Sequence, residues 1–439
     1  MSLNIAYIES EIIDQYLEDE SSRPWIIGFS GGKDSTLLLQ MVWNAITKIK
    51  EVAWTRDVYV VCNDTLVENP KIVNFIETTL KNIDKAAVEQ GLPIRVIRTK
   101  PRLEDTFWLN LIGKGYPAPS STFRWCTDRL KISPTTRFIT EKISEKGEAI
   151  ILLGTRSDES SSRARSIKKH AIKNNRLRKH LLPNAYVFAP IKDVSTNELW
   201  QYLLQCPPPW GGSHRELVTL YRNATGGDCP LVIDTTTPSC GQSRFGCWVC
   251  TVVKKDKSMD AMIDNGEDWM EPLADLRDLL VETRDNGEKY REKVGRDGKL
   301  KPEGYYGPYY DWVRAEILEK LLMAQKQIQD EQEPIELITH QELIAIQIQW
   351  YRDLKFNFKV SDIYNRVYNK NIDMSKHEEK FKKEQELLKK VCKENDEDVT
   401  LIQKMLSVQK TKTLMMKRKG MVSDIDNIIE DYLSAKNKK

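Results

Sequence analysis

The first half of the chain sets short apolar runs against longer stretches in which apolar residues recur every three or four positions. The runs WIIGF (25–29), VYVVC (58–62), IRVIRT (94–99) and AIILLG (149–154) are short and mostly rich in Val and Ile, a pattern that predicts strands. Segments 36–50, 70–90 and 134–146 carry helical spacing, and residues 3–19 predict a covering helix. Strands alternating with helices predict an α/β fold built on a doubly wound parallel sheet. PIKDVSTNELWQYL (190–203) reads as a loop and a capped helix, with Ser195 or Thr196 at the N-cap and Glu198 in the first turn. The pattern breaks at the proline-rich QCPPPWGG (205–212), and helical spacing returns over 268–283, 309–332, 339–353, 377–393 and 398–415. The expected organisation is an α/β domain over 1–205, a cysteine-rich segment over 206–256 and a mainly helical region over 257–439, with no internal repeat.

Candidate chemistry gathers where the strands end. The first strand runs into SGGKDS, residues 30–35, ahead of a helix expected from about Thr36. Gly31 and Gly32 can adopt positive φ and let the backbone approach a ligand. The helix start offers unpaired N–H groups and the positive end of its dipole, a site that phosphate commonly fills. A Walker A loop is excluded, because Ile27 stands where that motif needs glycine and Asp34 follows Lys33. Ser30, Gly31, Gly32, Lys33, Asp34 and Ser35 are therefore the candidate nucleotide ligands, with Ser30 as a phosphate donor and Asp34 as a Mg²⁺ partner. In such sheets ligands lie at the carboxyl ends of the strands. NDT (63–65), with Asp64 and Thr65, and GTRSDESSSRA (154–164) should open onto the same crevice. There Gly154 permits close approach, Arg156 and Arg163 can fork onto phosphate, and Glu159 can orient an arginine or bind Mg²⁺.

Charge changes the picture only locally. The net charge is +3, so an anionic partner must meet a patch, and RARSIKKHAIKNNRLRKH (163–180) holds eight Lys or Arg and no acid. That composition suits contact with a DNA or RNA backbone. No apolar run approaches a membrane span and no N-terminal apolar leader is evident, so a cytoplasmic protein without membrane contact is expected. Cys229, Cys240, Cys247 and Cys250 form a C-x10-C-x6-C-x-x-C group that suits zinc or an iron–sulfur cluster, and the spacing does not choose between them. Cys126 lies apart, in FRWCTDRLKISP, where Arg124, Arg129 and Lys131 should lower its pKa and favour a thiolate nucleophile. Five thiols thus compete for four metal positions.

SGGKDS at a strand end resembles the PP-loop of the N-type ATP pyrophosphatases, which include sulfonucleotide reductases, GMP synthetase and tRNA thiolation enzymes. That resemblance implies cleavage of ATP between its α and β phosphates and adenylation of an oxygen. Together with RWCTDRLKISP (124–134), LLGTRSDESSSRA (152–164), PIKDVSTNELWQYL and the cysteine group, the chain closely resembles the DndC family, the iron–sulfur component of bacterial DNA phosphorothioate modification. The likeness holds in motif detail over about residues 20–255. It implies ATP and Mg²⁺ as cofactors and a [4Fe-4S] cluster on Cys229, Cys240, Cys247 and Cys250. Its implied partners are DNA, a cysteine desulfurase as sulfur donor, and the other Dnd subunits, DndD and DndE. The expected catalytic group is Cys126 as sulfur carrier, with Lys131 and Arg163 near the reacting phosphate.

Three other readings compete. A sulfonucleotide reductase shares the loop, but such enzymes use a cysteine in E-C-G-x-H, whereas Cys392 stands in LLKKVCKEND. A tRNA thiolation enzyme would also suit the basic stretch, although no appended RNA-binding module is recognisable. A zinc-dependent nucleic-acid binder is disfavoured by the intact loop.

Overall fold

The computed structural model describes residues 4–18, 22–50, 54–170, 175–223, 246–253, 255–295, 299–331, 335–353, 357–373 and 375–392, with scattered positions between 395 and 433. The chain divides into two compact units, Met1–Phe107 with Ala118–Asn286 and Gln327–Leu337, and Trp108–Pro117 with Gly287–Lys326 and Ile338–Lys439.

In the first unit, strands β1 (Trp25–Gly28), β2 (Val58–Asn63), β3 (Ile94–Thr99), β4 (Ala149–Leu152), β5 (Arg178–Lys179) and β6 (Ala185–Phe188) form one sheet in the order β3-β2-β1-β4-β6-β5. Every pairing is parallel except that of β5 with β6. The four expected strands are present within a residue or two of their expected limits. β6 and the edge strand β5 were not expected, because AYVF is brief and β5 lies inside the basic stretch.

Helices α1 (Ile5–Leu17), α2 (Lys33–Lys48), α3 (Pro70–Glu89), α4 (Ser133–Lys146), α5 (Ser161–His170), α6 (Thr196–Gln205), α7 (Arg215–Asn223), α8 (Lys257–Asp264) and α9 (Glu271–Asp285) belong to this unit. Asn69 caps α3 through the Lys71 amide with Pro70 at its start, and Ser195 with Glu198 closes a capping box on α6. Along the strands, Ile26, Tyr59, Val61, Ile151 and Ala185 bury one sheet face with Phe138 and Ile139 of α4. Trp25, Ile27, Val58, Val60 and Leu152 alternate with them and are equally buried. Tyr16 of α1 meets Trp25 edge-on at 5.2 Å, and Arg56 lies 4.9 Å over the Tyr16 ring.

Ahead of α7, His214 is buried against α2. The Gln40 amide nitrogen donates to the carbonyls of Cys206 and Pro207, so its oxygen accepts at 2.7 Å from Nε2 of His214. Nε2 of His214 thus carries a proton, and burial keeps the ring neutral by lowering its pKa to about 4.

In the second unit, whose segment after Pro117 opens on the short helix α10 (Gly287–Tyr290), a π-helical turn at Leu109–Gly113 packs on α12 (His340–Arg352). Arg314 of α11 (Asp311–Glu331) donates Nε to the Ile112 carbonyl at 2.7 Å and another nitrogen to that of Gly113, and Trp350 donates to Ile112 at 3.0 Å. Helix α13 (Val360–Tyr368) ends on Asn369 in the left-handed conformation, and α14 (Ser375–Val391) follows.

Candidate nucleotide and thiol site

The loop after β1 is held by its own serines. The Ser30 amide donates to Oγ of Ser35 at 3.1 Å, and that hydroxyl donates to the Gly32 carbonyl at 2.9 Å. Gly31 has φ +72°, and a Cβ there would meet Ile76 Cγ1 at 2.5 Å. Helix α2 begins at Lys33, three residues earlier than the spacing suggests, with Gly32 as an N-cap that offers no side chain. The first-turn amides are therefore left uncapped by any side chain of the cap, the arrangement that suits an anion. One amide is engaged: that of Lys33 donates to Oη of Tyr221 at 3.3 Å. The Lys33 ammonium is buried, 3.3 Å from the Asp34 carboxylate and 5.1 Å from the Tyr221 ring centroid.

The segment after β4 braces this loop. Arg156 has no exposed surface; it donates Nε to Oδ1 of Asp34 at 2.6 Å, and its other nitrogens to the Val194 carbonyl and the Thr196 hydroxyl. Its guanidinium is committed inside the protein, which corrects the expectation that it forks onto phosphate. Gly154 permits a close approach to the loop itself, since a Cβ placed there would lie 2.8 Å from the Asp34 carbonyl. Glu159 accepts from the Arg156 amide at 2.8 Å and from Nε of Arg163 at 3.3 Å. Arg163 is half exposed, so it alone of the expected pair can turn toward a ligand. Thr196 donates its amide and hydroxyl to Asp158, which holds that carboxyl below its usual range. Both carboxylates expected to take Mg²⁺, Asp34 and Glu159, are thus engaged by neighbouring donors. A nucleotide itself fits the loop: besides the uncapped amides, Thr155 Oγ1 is buried with no partner among the described residues.

Asp64 starts a turn after β2. It accepts from the Leu66 amide at 2.9 Å and pairs with Arg98 at 3.0 Å and Lys100 at 3.4 Å. The same turn reaches the thiols. Thr65 Oγ1 is 3.5 Å from Sγ of Cys247, Glu68 bridges to Cys247 in antiparallel fashion, and the Trp248 amide donates to the Val67 carbonyl. The C-x-x-C turn closes through the Cys250 amide on the Cys247 carbonyl, and buried Arg277 donates to the carbonyls of Cys250 and Val253. Trp248 and Val249 between the cysteines are buried.

Cys126 comes close enough to Cys247 and Cys250 to feel their charge. Burial, reinforced by those thiols, pushes its pKa up, and Lys131 opposes this without reversing it. This corrects the expected depression: Arg129 is turned away onto Asp105 at 3.0 Å. Lys131 is raised chiefly by Cys247. Trp125 stacks on Phe107 at 5.3 Å, and residues 127–132 form a π-helical turn held by Asn63 on the Leu130 carbonyl. Cys126, Cys247 and Cys250 are free thiols, a donor set that suits a thiolate-bound group. Cys229 and Cys240 lie outside the described residues, and among those described no three His, Cys, Asp or Glu side chains are grouped as a metal site.

The basic stretch divides. Arg163, Arg165, Lys168 and Lys169 stand on α5, and Arg165, Lys168 and Lys169 are not buried, whereas Arg176 is clamped by Glu11 and Asp14 of α1 and by its C-cap Glu18. Tyr221 and residues 66–68, which carry the turn on from NDT, had escaped sequence reasoning, since neither lies in a motif; only an amphipathic α7 hinted that Tyr221 points inward.

A parallel α/β sheet with an anion loop after its first strand defines a PP-loop domain. Residues 24–253 match the phosphoadenosine phosphosulfate reductase domain, and the chain belongs to that family. An uncharacterised protein of Methanocaldococcus jannaschii is 31% identical over 236 residues, 54% of this chain and 38% of that protein, so the match spans well under half of the relative's length. Among solved structures, the phosphoadenylyl-sulfate reductase of Candida auris is 13% identical, covering 47% of this chain and 88% of that one at a TM-score of 0.28. The U34-tRNA thiolase NcsA of Methanococcus maripaludis, solved with its [4Fe-4S] cluster, is 12% identical, covering 68% and 84% at a TM-score of 0.30. Among the described residues no helix is long and apolar enough to cross a membrane.

Proposed function

We propose that this chain carries out DNA phosphorothioation, activating a backbone phosphate with ATP and transferring sulfur to it. One observation carries the reading. The anion loop follows β1, and the turn that meets Cys247 through Thr65 and Glu68 follows β2, its parallel neighbour, so nucleotide and thiol chemistry sit at adjacent strand ends. Membership of the reductase-domain family and the DndC-like motifs support it.

In this mechanism the uncapped amides of α2 and Lys33 bind the pyrophosphate portion of ATP. A phosphate oxygen of the DNA, steered by the exposed cations of α5, attacks the α phosphorus and pyrophosphate leaves. A desulfurase has loaded a sulfur atom onto Cys126; the terminal sulfur of this persulfide, its negative charge facing Lys131, attacks the activated phosphorus, and AMP leaves with the former DNA oxygen. One external thiol then attacks Cys126, releasing the phosphorothioate and leaving a mixed disulfide, and a second thiol frees the Cys126 thiol as the two reductant sulfurs leave as a disulfide. Adenylation matters because an unactivated phosphodiester oxygen is a very poor leaving group. A cluster held by Cys247 and Cys250 with Cys229 and Cys240 would supply redox-active iron and sulfide when bound. DndD and DndE would be the partners in the cell, which would be met in the cytoplasm.

The test is mass spectrometry of host DNA for sulfur-containing dinucleotides, with and without this gene. Their loss on deletion and return on complementation is expected. Unchanged DNA together with thiolated tRNA or sulfite formation that follows the gene would move the assignment to one of the competing readings.

A further inference from the structure

Tyr221 stands directly over the anion loop and touches Lys33 at both ends. Its hydroxyl accepts from the Lys33 amide at 3.3 Å, and its ring lies 5.1 Å from the Lys33 ammonium. A Cβ on Gly32 would come 3.3 Å from the same hydroxyl, so a side chain there would press on this ring. Tyr221 is buried and braced edge-on by Trp200 of α6 at 5.1 Å, so the contact is set by packing on the far side of the ring.

We infer that Tyr221 is a positioning residue with two opposed effects on phosphate binding: its ring fixes the Lys33 ammonium, and its hydroxyl occupies the Lys33 amide until a phosphate oxygen takes that place. The inference rests on the reading of residues 30–35 as a pyrophosphate site. Its physical basis is that a helix-start amide binds an anionic oxygen better than a neutral phenol oxygen. The phenol keeps the amide from being buried without a partner in the free protein, and a ligand must displace it. A small tilt of the ring is enough to give up this 3.3 Å hydrogen bond, so its face can stay over the cation when ligand is bound.

The two effects separate in two variants of the full chain, with inorganic pyrophosphate as the probe, titrated by calorimetry with thermal midpoints read alongside. Tyr221→Phe keeps the ring and removes the stand-in oxygen. It should lower the midpoint of the free protein, narrow that deficit at saturating pyrophosphate, and tighten pyrophosphate binding roughly 3- to 10-fold. Tyr221→Leu loses the ring and should weaken binding at least about 3-fold. A Tyr221→Phe variant with unchanged or weaker affinity, and the same midpoint loss with and without pyrophosphate, would reduce the residue to a structural role and overturn the inference. Wild-type protein that binds no pyrophosphate would bring down the anion-site reading and the inference together.

Discussion

Nε of Arg156 donates a 2.6 Å hydrogen bond to Oδ1 of Asp34 across 122 residues of sequence, tying the segment after β4 to the first turn of α2. The arginine side chain is 1% exposed and the aspartate 23%. Removing one partner of such a pair leaves a buried charge without compensation, at a cost of about 3–5 kcal/mol, whereas replacing both by apolar groups often costs far less. Asp34→Ala should therefore lower stability by about that amount in urea unfolding, as well as abolishing AMP formation. The double variant Asp34→Ala with Arg156→Met should recover much of the stability and none of the activity. Asp34→Ala with wild-type stability would show that the pair does not hold the loop.

Gly154 extends the same argument to the backbone. A methyl group there would press on the Asp34 carbonyl, and overpacking of this kind costs about 1–3 kcal/mol. Gly147 gives a control, because it has φ +85° but open space around it, so alanine there meets only backbone strain of about 1–3 kcal/mol. Both variants should be less stable, yet only Gly154→Ala should raise KM for ATP, by roughly tenfold. Equal KM values in steady-state AMP assays would remove Gly154 from the site.

The His214 contact predicts a pH dependence. Burial lowers its pKa from 6.5 to about 4. The unfolded chain takes up the proton near pH 6.5 and the native chain does not, so the native state loses stability as pH falls. The contribution is full above about 6.5 and is lost progressively down to about 4, a total of roughly 3 kcal/mol. Between pH 6.5 and 5, above the range of most carboxylates, wild-type protein should lose stability more steeply than His214→Gln. Parallel curves in denaturant titrations would mean that His214 titrates normally.

The strands and the glycine loop were legible because both follow local rules: a short β-branched run, and glycines that must admit positive φ or close neighbours. β6 escaped because four residues between a basic loop and PIKD carry too little periodicity, although β4 needs it as a neighbour. The role of Arg156 escaped for a different reason. Sequence places a cation and a glycine near the crevice, but only packing against Asp34 decides that the cation faces inward. Tyr221 was invisible because its partner Lys33 lies 188 residues away, and nothing local marks such a contact. The charge around Cys126 was misread similarly, since Arg129 is spent on Asp105 while Cys247 arrives from far along the chain.

That arrival sharpens the last prediction, which decides between carrier and ligand among the thiols. Cys247 is held by the β2 turn through Thr65, and Cys250 by the Arg277 contact to its carbonyl, so both belong to a fixed framework. Cys126 sits at the start of a separate π-helical turn, Thr127–Ile132, which also carries Lys131, where a sulfur atom could be loaded and delivered. In anaerobically purified protein, Cys247→Ser and Cys250→Ser should lose iron and acid-labile sulfide, measured by elemental and colorimetric assay. Cys126→Ser should keep both, keep ATP binding, and leave DNA without sulfur. If Cys126→Ser loses the iron while Cys229→Ser retains it, Cys126 is the fourth ligand and Cys229 the carrier. Stoichiometric zinc without sulfide in the wild type would replace the cluster reading altogether.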